Sequence, residues 1–459
     1  MKTSTSKRLR WNIAIWLAAG LFMTSTAGMA SGPILPDPKA EARHHPQIEE
    51  TANGIPLVNI TAPSSGGVSR NEYETFNVPD KGAILNNSYT LSKTELAGYV
   101  QGNNNMAERP AKIIVNEVTG AGSTSMDGFL EVAGNRADVV IANPNGITVN
   151  GGGFINTGKA FLTTGKPVYD GEDHLQRFDI TGGDILIEGK GLGGKETESL
   201  AILSRAVKIN AGIWAKDLHI TTGANTVDAK TLEASAIEGK GGRPAFALDT
   251  AAIGGMYAGR ITLVGTEKGL GVNNSGTWSA EDNLTLDWNG DLKNSGTIYS
   301  KGNADLRASH LENDKTIAAE RNLSAAAKEN IHNQGKLLAG ENMGIYAGKT
   351  LDNAGHAMES RNNLSIETGD AINNAAGTIK SGGSQQIKAG HTLTNTEGTL
   401  AADGNINIQT GRMTGDGIVS AGKKAGILLE KDFTNTGRLE AGSSLSLAVK
   451  GNITNRKEI

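Results

Sequence analysis

Leu292-Lys293-Asn294-Ser295-Gly296-Thr297-Ile298 is a short apolar segment, an Asn-x-Gly corner and a second apolar segment, and the same unit recurs along the second half of the chain. Related corners begin at Asn274, Asn333, Asn353 and Asn435, with variants at Asn313, Asn374, Asn395 and Asn455. Successive steps are 20, 19, 20, 20, 21 and 21 residues, then 40 (two units), then 20. Two residues before each Asn stands Leu292, Leu311, Ile331, Leu351, Ile372, Leu393, Phe433 or Ile453. After the corner come Ile298, Ile317, Leu337, Ile379, Leu400 and Leu439. A third segment alternates, as in Leu284-Thr285-Leu286, Leu364-Ser365-Ile366, Ile406-Asn407-Ile408 and Leu445-Ser446-Leu447. Alternation of period two marks strands with one buried face. Three such strands in twenty residues, joined by Asn and Gly that tolerate left-handed backbone, predict the coil of a parallel β-helix. Asn at one corner of successive coils is placed to pair its amide along the axis.

Composition agrees. Of 459 residues 61 are Gly, about twice the usual share, while only 11 are Pro and 4% are aromatic. The helical periodicity of an α-solenoid is absent, and propeller blades need about 40 residues each and more aromatics. The expected fold is all-β, a right-handed parallel β-helix with small additional β elements capping its N-terminal part. About twenty coils at about 4.8 Å each would make a rod of about 100 Å.

The chain opens with Lys2, Lys7, Arg8 and Arg10, then an uncharged apolar run from Ile13 to Met23, then Gly28-Met29-Ala30. This is a secretory signal layout with cleavage expected after Ala30; the run is too short for a comfortable membrane span. Its removal leaves 40 basic against 48 acidic residues, a net charge of −8. No global basic excess favours nucleic acid as a partner. With no Cys there is no disulfide, thiolate metal site or iron–sulfur cluster. Export without Cys suits a chain that must later cross a second membrane unfolded. Residues 31 to 48 read as a Pro-rich polar arm.

The densest β texture of the first half runs from Glu131 to Ala142, turns through Asn143-Pro144-Asn145-Gly146-Ile147, and leaves through Thr148 to Thr157. Pro144 presets φ, and Asn145-Gly146 supplies left-handed positions. Other blocks are Pro56-Leu57-Val58-Asn59-Ile60, Gly66-Gly67-Val68-Ser69, Tyr73-Glu74-Thr75-Phe76-Asn77-Val78 and Gly82-Ala83-Ile84-Leu85-Asn86-Asn87. Ser204-Arg205-Ala206-Val207-Lys208-Ile209, Gly223-Ala224-Asn225 and Gly254-Gly255-Met256-Tyr257-Ala258 follow. In this order, over about residues 50 to 272, they make the chain resemble the two-partner secretion domain of filamentous-haemagglutinin-like exoproteins.

The resemblance implies a signal peptide at 1–30, a secretion domain at 31–270 and filamentous haemagglutinin repeats at 271–459. It implies export by the Sec translocon and recognition in the periplasm by the POTRA domains of an outer-membrane β-barrel transporter. The protein would then be secreted or held on the surface of a Gram-negative bacterium, folding outside. Recognition and nucleation would fall on Asn143, Pro144, Asn145, Gly146 and Ile147. A second site would be Asn103, Asn104, Asn105 and Met106, where the family has Asn-Pro-Asn-Leu; without the Pro, this turn is expected to be looser. Val149 and Gly152 stand where a subgroup of the family has two Cys. The implied role is adhesion or haemagglutination through host-cell or bacterial surface receptors; the alternative is the stick of a contact-dependent growth-inhibition toxin. The chain stops inside a coil at Ile459, which reads as a fragment of a longer protein.

No catalytic constellation emerges. After each corner the row Lys301, Glu320, Ala339, Ser360, Ser381, Ala401, Ser420, Ala441 reads as a solvated face, without the stacked acids and bases of a polysaccharide-cleaving β-helix. His44-His45 are adjacent on the arm and chelate poorly. Gly189-x-Gly191-x-Gly193-Gly194 lacks the following helix of a phosphate loop. Ser199 and Ser204 have no His or Asp partner at motif spacing. No enzyme activity, cofactor or metal is expected. Asn283-Leu284-Thr285, Asn322-Leu323-Ser324 and Asn363-Leu364-Ser365 match a glycosylation sequon but recur because the repeat sets Asn before an apolar strand residue.

Overall fold

The computed structural model describes residues 32–106 and 109–457. The expected signal peptide and its cleavage at Ala30 lie outside them.

Three parallel ladders run along a β-helix. The first contains sixteen strands, from Pro56–Asn59 to Arg438–Ala441, each bonded to its equivalent in the next coil. The second also contains sixteen, from Val68–Phe76 to Ser444–Val449. The third holds thirteen, from Thr124–Met126 to Ile406–Thr414. Beyond it Phe433–Asn435 pairs separately with Ile453–Asn455. Sixteen coils at about 4.8 Å make a rod of about 70 Å, not 100 Å. The estimate of twenty coils fails because much of the first half builds elements outside the helix.

These elements are three. Ile34–Pro36 pairs antiparallel with Val68–Phe76, and Gln47–Glu50 with Pro56–Asn59, so residues 34–50 close the first coil. Ile34 is buried against the main core. The expected polar arm is therefore a cap: coil edges expose unpaired backbone groups, and something must cover them. A hairpin, Ser92–Thr94 with Gly98–Val100, lies outside the first ladder, where Val100 packs with Leu57, Ile84 and Ala133. A four-stranded antiparallel sheet is built from Lys166–Tyr169, Leu175–Ile180, Asn225–Asp228 and Ala234–Ala236. It covers the outer side of the second ladder, burying Phe178, Ile180 and Val227 on Val115, Val140, Phe161 and Leu203.

The core is a set of aligned rows. Leu292, Leu311, Ile331, Leu351, Ile372, Leu393 and Phe433 are all buried, whereas Ile453 in the last coil is 50% exposed. Ile298, Ile317, Leu337, Ile379, Leu400 and Leu439 form a second buried row, with Met358 and Val419 in the coils between. Each such side chain contributes roughly 1.5–3 kcal/mol by leaving water.

The corner asparagines form the expected ladder. Nδ2 of Asn274 donates to Oδ1 of Asn294 at 2.8 Å, and the pattern repeats through Asn313, Asn333, Asn353, Asn374 and Asn395 at 2.7–2.9 Å. All seven are buried. The ladder stops where Gly415 (φ +111°) takes the corner, and resumes with Asn435 to Asn455 at 2.8 Å. The third backbone ladder breaks at the same coil. The sequon asparagines belong to a second side-chain ladder of opposite sense. Asn303 donates back to Asn283, Asn322 to Asn303, Asn342 to Asn322 and Asn363 to Asn342, at 2.9–3.3 Å.

One row read from the sequence is out of register. The ladder aligns Ser300, Ala319, Ala339, Ser360, Ser381, Ala402, Ala421 and Ala441, a row of small residues facing inward. Lys301 and Glu320 lie one position outside it, and Ala401 and Ser420 one position before it. Corner lengths vary by a residue, and a slip of one moves a side chain to the opposite face.

Candidate functional site: two asparagine turns

Asn143 to Ile147 closes a tight turn, with the Gly146 N–H donating to the Asn143 carbonyl at 3.1 Å. Only Gly146 has positive φ, at +110°; Asn145 does not share it, contrary to the sequence reading. With Pro at the second position and right-handed backbone at the third, a type I turn needs Gly only at its exit. A Cβ on Gly146 would also lie 3.0 Å from the Asp184 carbonyl. Asn143 is fully buried. Its Oδ1 accepts the Asn145 N–H at 2.9 Å, and its Nδ2 donates to the Gly122 carbonyl at 2.9 Å and to Thr124 Oγ1 at 3.0 Å. Asn145 Nδ2 donates to the Gly120 carbonyl at 2.8 Å. Ile147 enters the core beside Val149. Pro144 and the body of Asn145 are exposed.

Asn103 to Met106 repeats this geometry. The Met106 N–H donates to the Asn103 carbonyl at 3.1 Å, and the Asn105 N–H to Asn103 Oδ1 at 2.9 Å. Asn103 Nδ2 donates to the carbonyls of Ile60 and Asn86, and Asn105 Nδ2 to Ile60 at 3.1 Å. Met106 is fully buried and Asn104 exposed. Without proline the turn keeps its closing bond, the Asn103 Oδ1 bond and the ties to the preceding segment, so the expected loosening is not visible in these bonds. In both turns the first Asn organises the corner, the third ties it to the preceding segment, and the second position faces water, joined in the Asn143 turn by the exposed Asn145.

Pro144 borders a cleft of about 570 Å³ between the second ladder and the covering sheet, lined also by Glu117, Thr164, Lys166, Asp179 and Lys240. Burial pushes the Glu117 carboxyl up from its usual range, against the pull of Arg70. Arg70 sits 2.8 Å from Glu72, 3.4 Å from Glu117 and 4.6 Å above the Tyr169 ring. His44 Nδ1 lies 3.1 Å from Glu72, and Arg43 pairs with Asp173 at 2.8 Å, so these charges tie the cap to the covering sheet. Burial and Arg70 hold His44 below its ordinary value. His44 is thus a packed residue, and among the described residues no group of three His, Asp or Glu could hold a metal.

A clasp that the sequence did not announce lies at Arg205. It is buried and bidentate to Glu267 at 3.0 and 3.1 Å, and donates to the Lys240 carbonyl at 2.7 Å. Glu267 also accepts the Ala224 N–H at 3.1 Å, and the Arg205 carbonyl accepts the Gly223 N–H. Two blocks far apart in sequence, at 204–209 and 223–225, meet here. Arg205 holds the Glu267 carboxyl below its usual range. Ser204 Oγ lies within hydrogen-bonding distance of the carbonyls of Gly183 and Ala206. The Gly189–Gly194 segment turns into the strand Leu192–Gly194, with no helix after it.

The family described as TPS secretion domain matches residues 33–298, and haemagglutinin repeats match residues 299–410 and 381–457. A "16S rRNA endonuclease CdiA" of Enterobacter cloacae subsp. cloacae is 39% identical over 347 residues, covering 70% of this chain and 10% of that protein. A "Toxin CdiA" of Yersinia pestis is 41% identical over 297 residues, covering 60% and 9%. A "tRNA nuclease CdiA" of Escherichia coli is 43% identical over 262 residues, covering 56% and 8%. The chain thus spans about a tenth of the length of the curated relatives it matches. A solved filamentous haemagglutinin secretion domain is 25% identical, with a TM-score of 0.48, covering 79% of this chain and 99% of its own. The chain belongs to the TPS, or two-partner secretion, domain family.

Proposed function

We propose that this segment is the address and the first folded section of an exported rod. Residues 1–30 direct it to the Sec translocon, 31–270 act as the secretion domain and 271–459 begin the filament. The secretion domain is read in the periplasm by the POTRA domains of a dedicated outer-membrane transporter. The chain then crosses unfolded and folds outside, secreted or held on the surface of a Gram-negative cell.

The observation that carries this reading is the division of labour within Asn143–Ile147. Asn143, Gly146 and Ile147 are buried in the coil, while Pro144 and the outer surface of Asn145, whose amide is tied to Gly120, face outward toward a partner. Asn103–Met106 takes the same role second. This segment works by recognition and by nucleating coils, not by catalysis. Of two roles for the whole protein, one is adhesion or haemagglutination at host-cell or bacterial receptors. The other is the stick of a contact-dependent growth-inhibition toxin, and the names of the relatives favour it. Co-expression with and without the cognate transporter tests the reading: mature protein should reach the medium only with the transporter, and release without it would overturn the proposal.

A further inference from the structure

The outer side of the first ladder carries one row with an unusual composition. In ladder order it runs Phe129, Gly153, Gly193, Trp214, Tyr257, Ser279, Tyr299, Ala318, Leu338. Four of these nine positions are aromatic, in a chain that is 4% aromatic, and most others have little or no side chain. The rings lie over glycines. A Cβ on Gly153 would come 2.4 Å from the Phe129 ring, one on Gly212 2.5 Å from Trp214, and one on Gly255 2.8 Å from the Tyr257 hydroxyl. Trp214 and Tyr257 are nearly parallel, with 6.2 Å between centroids and 16° between planes. Tyr257 is 39% and Phe129 44% exposed. A groove of about 640 Å³ continues the row from Tyr299 over Ala318 to Leu338, with Glu320, Arg361 and Lys380 at its edges.

Hydrophilic rows flank the aromatic one. Thr277, Thr297 and Thr316 lie on one side, and Lys216, Glu281, Lys301 and Glu320 on the other. The signs on that second row cancel, and Lys301 is paired with Glu281. We propose that this row is a binding platform for a neutral, linear carbohydrate chain, whose sugar rings stack on Trp214, Tyr257 and Tyr299. Aromatic faces are electron-rich and attract the C–H faces of a sugar ring. The flanking hydroxyls, carboxylates and ammonium groups meet the ring's edge hydroxyls.

The same surface argues against other occupants. A polyanion would need a surplus of cations. An added peptide strand needs an open sheet edge, and every strand of this row is bonded on both sides. A lipid surface needs a broad apolar patch, and polar rows bound this one. The platform lies on a different ladder side from the covering sheet that borders Pro144, and does not depend on the secretion reading.

Trp278 and Trp288 are buried, so among the described residues Trp214 is the tryptophan open to solvent. Acrylamide quenching of the purified mature chain therefore reports on the platform. The probes are neutral hexasaccharides of β-1,4-glucose, β-1,4-N-acetylglucosamine and α-1,4-glucose, with a sulfated hexasaccharide and anionic vesicles as the competing classes. At least one neutral hexasaccharide should protect Trp214 saturably, with a dissociation constant on the order of 1 mM or below. Tyr257→Ala and Tyr299→Ala, both surface changes, should each weaken that binding about tenfold, while Lys388→Ala, on the second ladder, should not. Protection by none of the three neutral probes overturns the proposal. So does binding that both tyrosine variants leave intact, or protection by the sulfated probe or vesicles alone.

Discussion

Between Asn274 and Asn395 each coil repeats one buried side-chain bond to the next coil, Asn to Asn. Between Ile60 and Glu267 the coils hold together through unlike contacts. A single Arg205 joins Glu267 and the Lys240 segment, and Arg70 joins cap, coil and covering sheet. Both regions share the same ladders and the same aliphatic interior. The difference is one of range. In the repeats, loss of a side chain is felt by the two neighbouring coils. In the secretion domain, loss of one clasp releases elements up to sixty residues apart.

The sharpest way to break this contrast is Arg205→Ala. It leaves Glu267 half-buried without its cation and should cost about 3–5 kcal/mol. Hydrogen exchange should rise together at the 223–225 and 240–243 segments and across the covering sheet. Loss confined to the Arg205 coil would erase the distinction between the regions. Asn333→Ala comes next. It leaves Asn313 without its acceptor and Asn353 without its donor in a buried corner, for about 2–3 kcal/mol. Exchange should rise in the coils of Asn313 and Asn353 and remain unchanged beyond Phe433.

A smaller effect depends on pH. Burial pushes His219 down to about 4, while in the unfolded chain its pKa is about 6.5. Between these values the unfolded state binds the extra proton, so stability falls as pH drops from about 6.5 to about 4. His219→Gln should flatten that part of the stability–pH curve, read from thermal midpoints at matched ionic strength. The smallest effect lies in the repeats. Ala376 (φ 54°) and Glu397 (φ 53°) occupy left-handed corners where neighbouring coils use Gly355. Ala376→Gly should stabilise by roughly 0.5–1 kcal/mol, raising the thermal midpoint without altering export.

Much of the repeat region was legible because self-similarity makes a sequence its own alignment. Period, inward rows and Asn ladder all follow from aligning the corners. Legibility failed in the row after the corner, where Lys301 and Glu320 stand one position past the inward row and Ala401 and Ser420 one before it, so that side chains were read on the wrong face. It failed again at residues 34–50, whose Pro and charges look like an arm because their partners, Tyr73, Glu72 and Thr119, are distant in sequence. The Asn143–Ile147 turn could be placed from its residues, but not the conformation of Asn145. Nor could sequence show that Asn103–Met106, lacking proline, closes through the same bonds. The Arg205 clasp had only one trace, an arginine preceded and followed by strand residues.

We propose that the exposed tip of the Asn143–Ile147 turn serves recognition, while its buried residues serve folding. Pro144→Ala tests it most directly, because Pro144 faces water and makes no side-chain hydrogen bond. Transporter-dependent secretion and the thermal midpoint should be measured on the same variant beside the native chain. Secretion should fall severalfold, with stability moved by no more than the roughly 0.4–1 kcal/mol expected for lost proline rigidity. Native-level secretion, or a loss of secretion matched by unfolding of the purified domain, would contradict it.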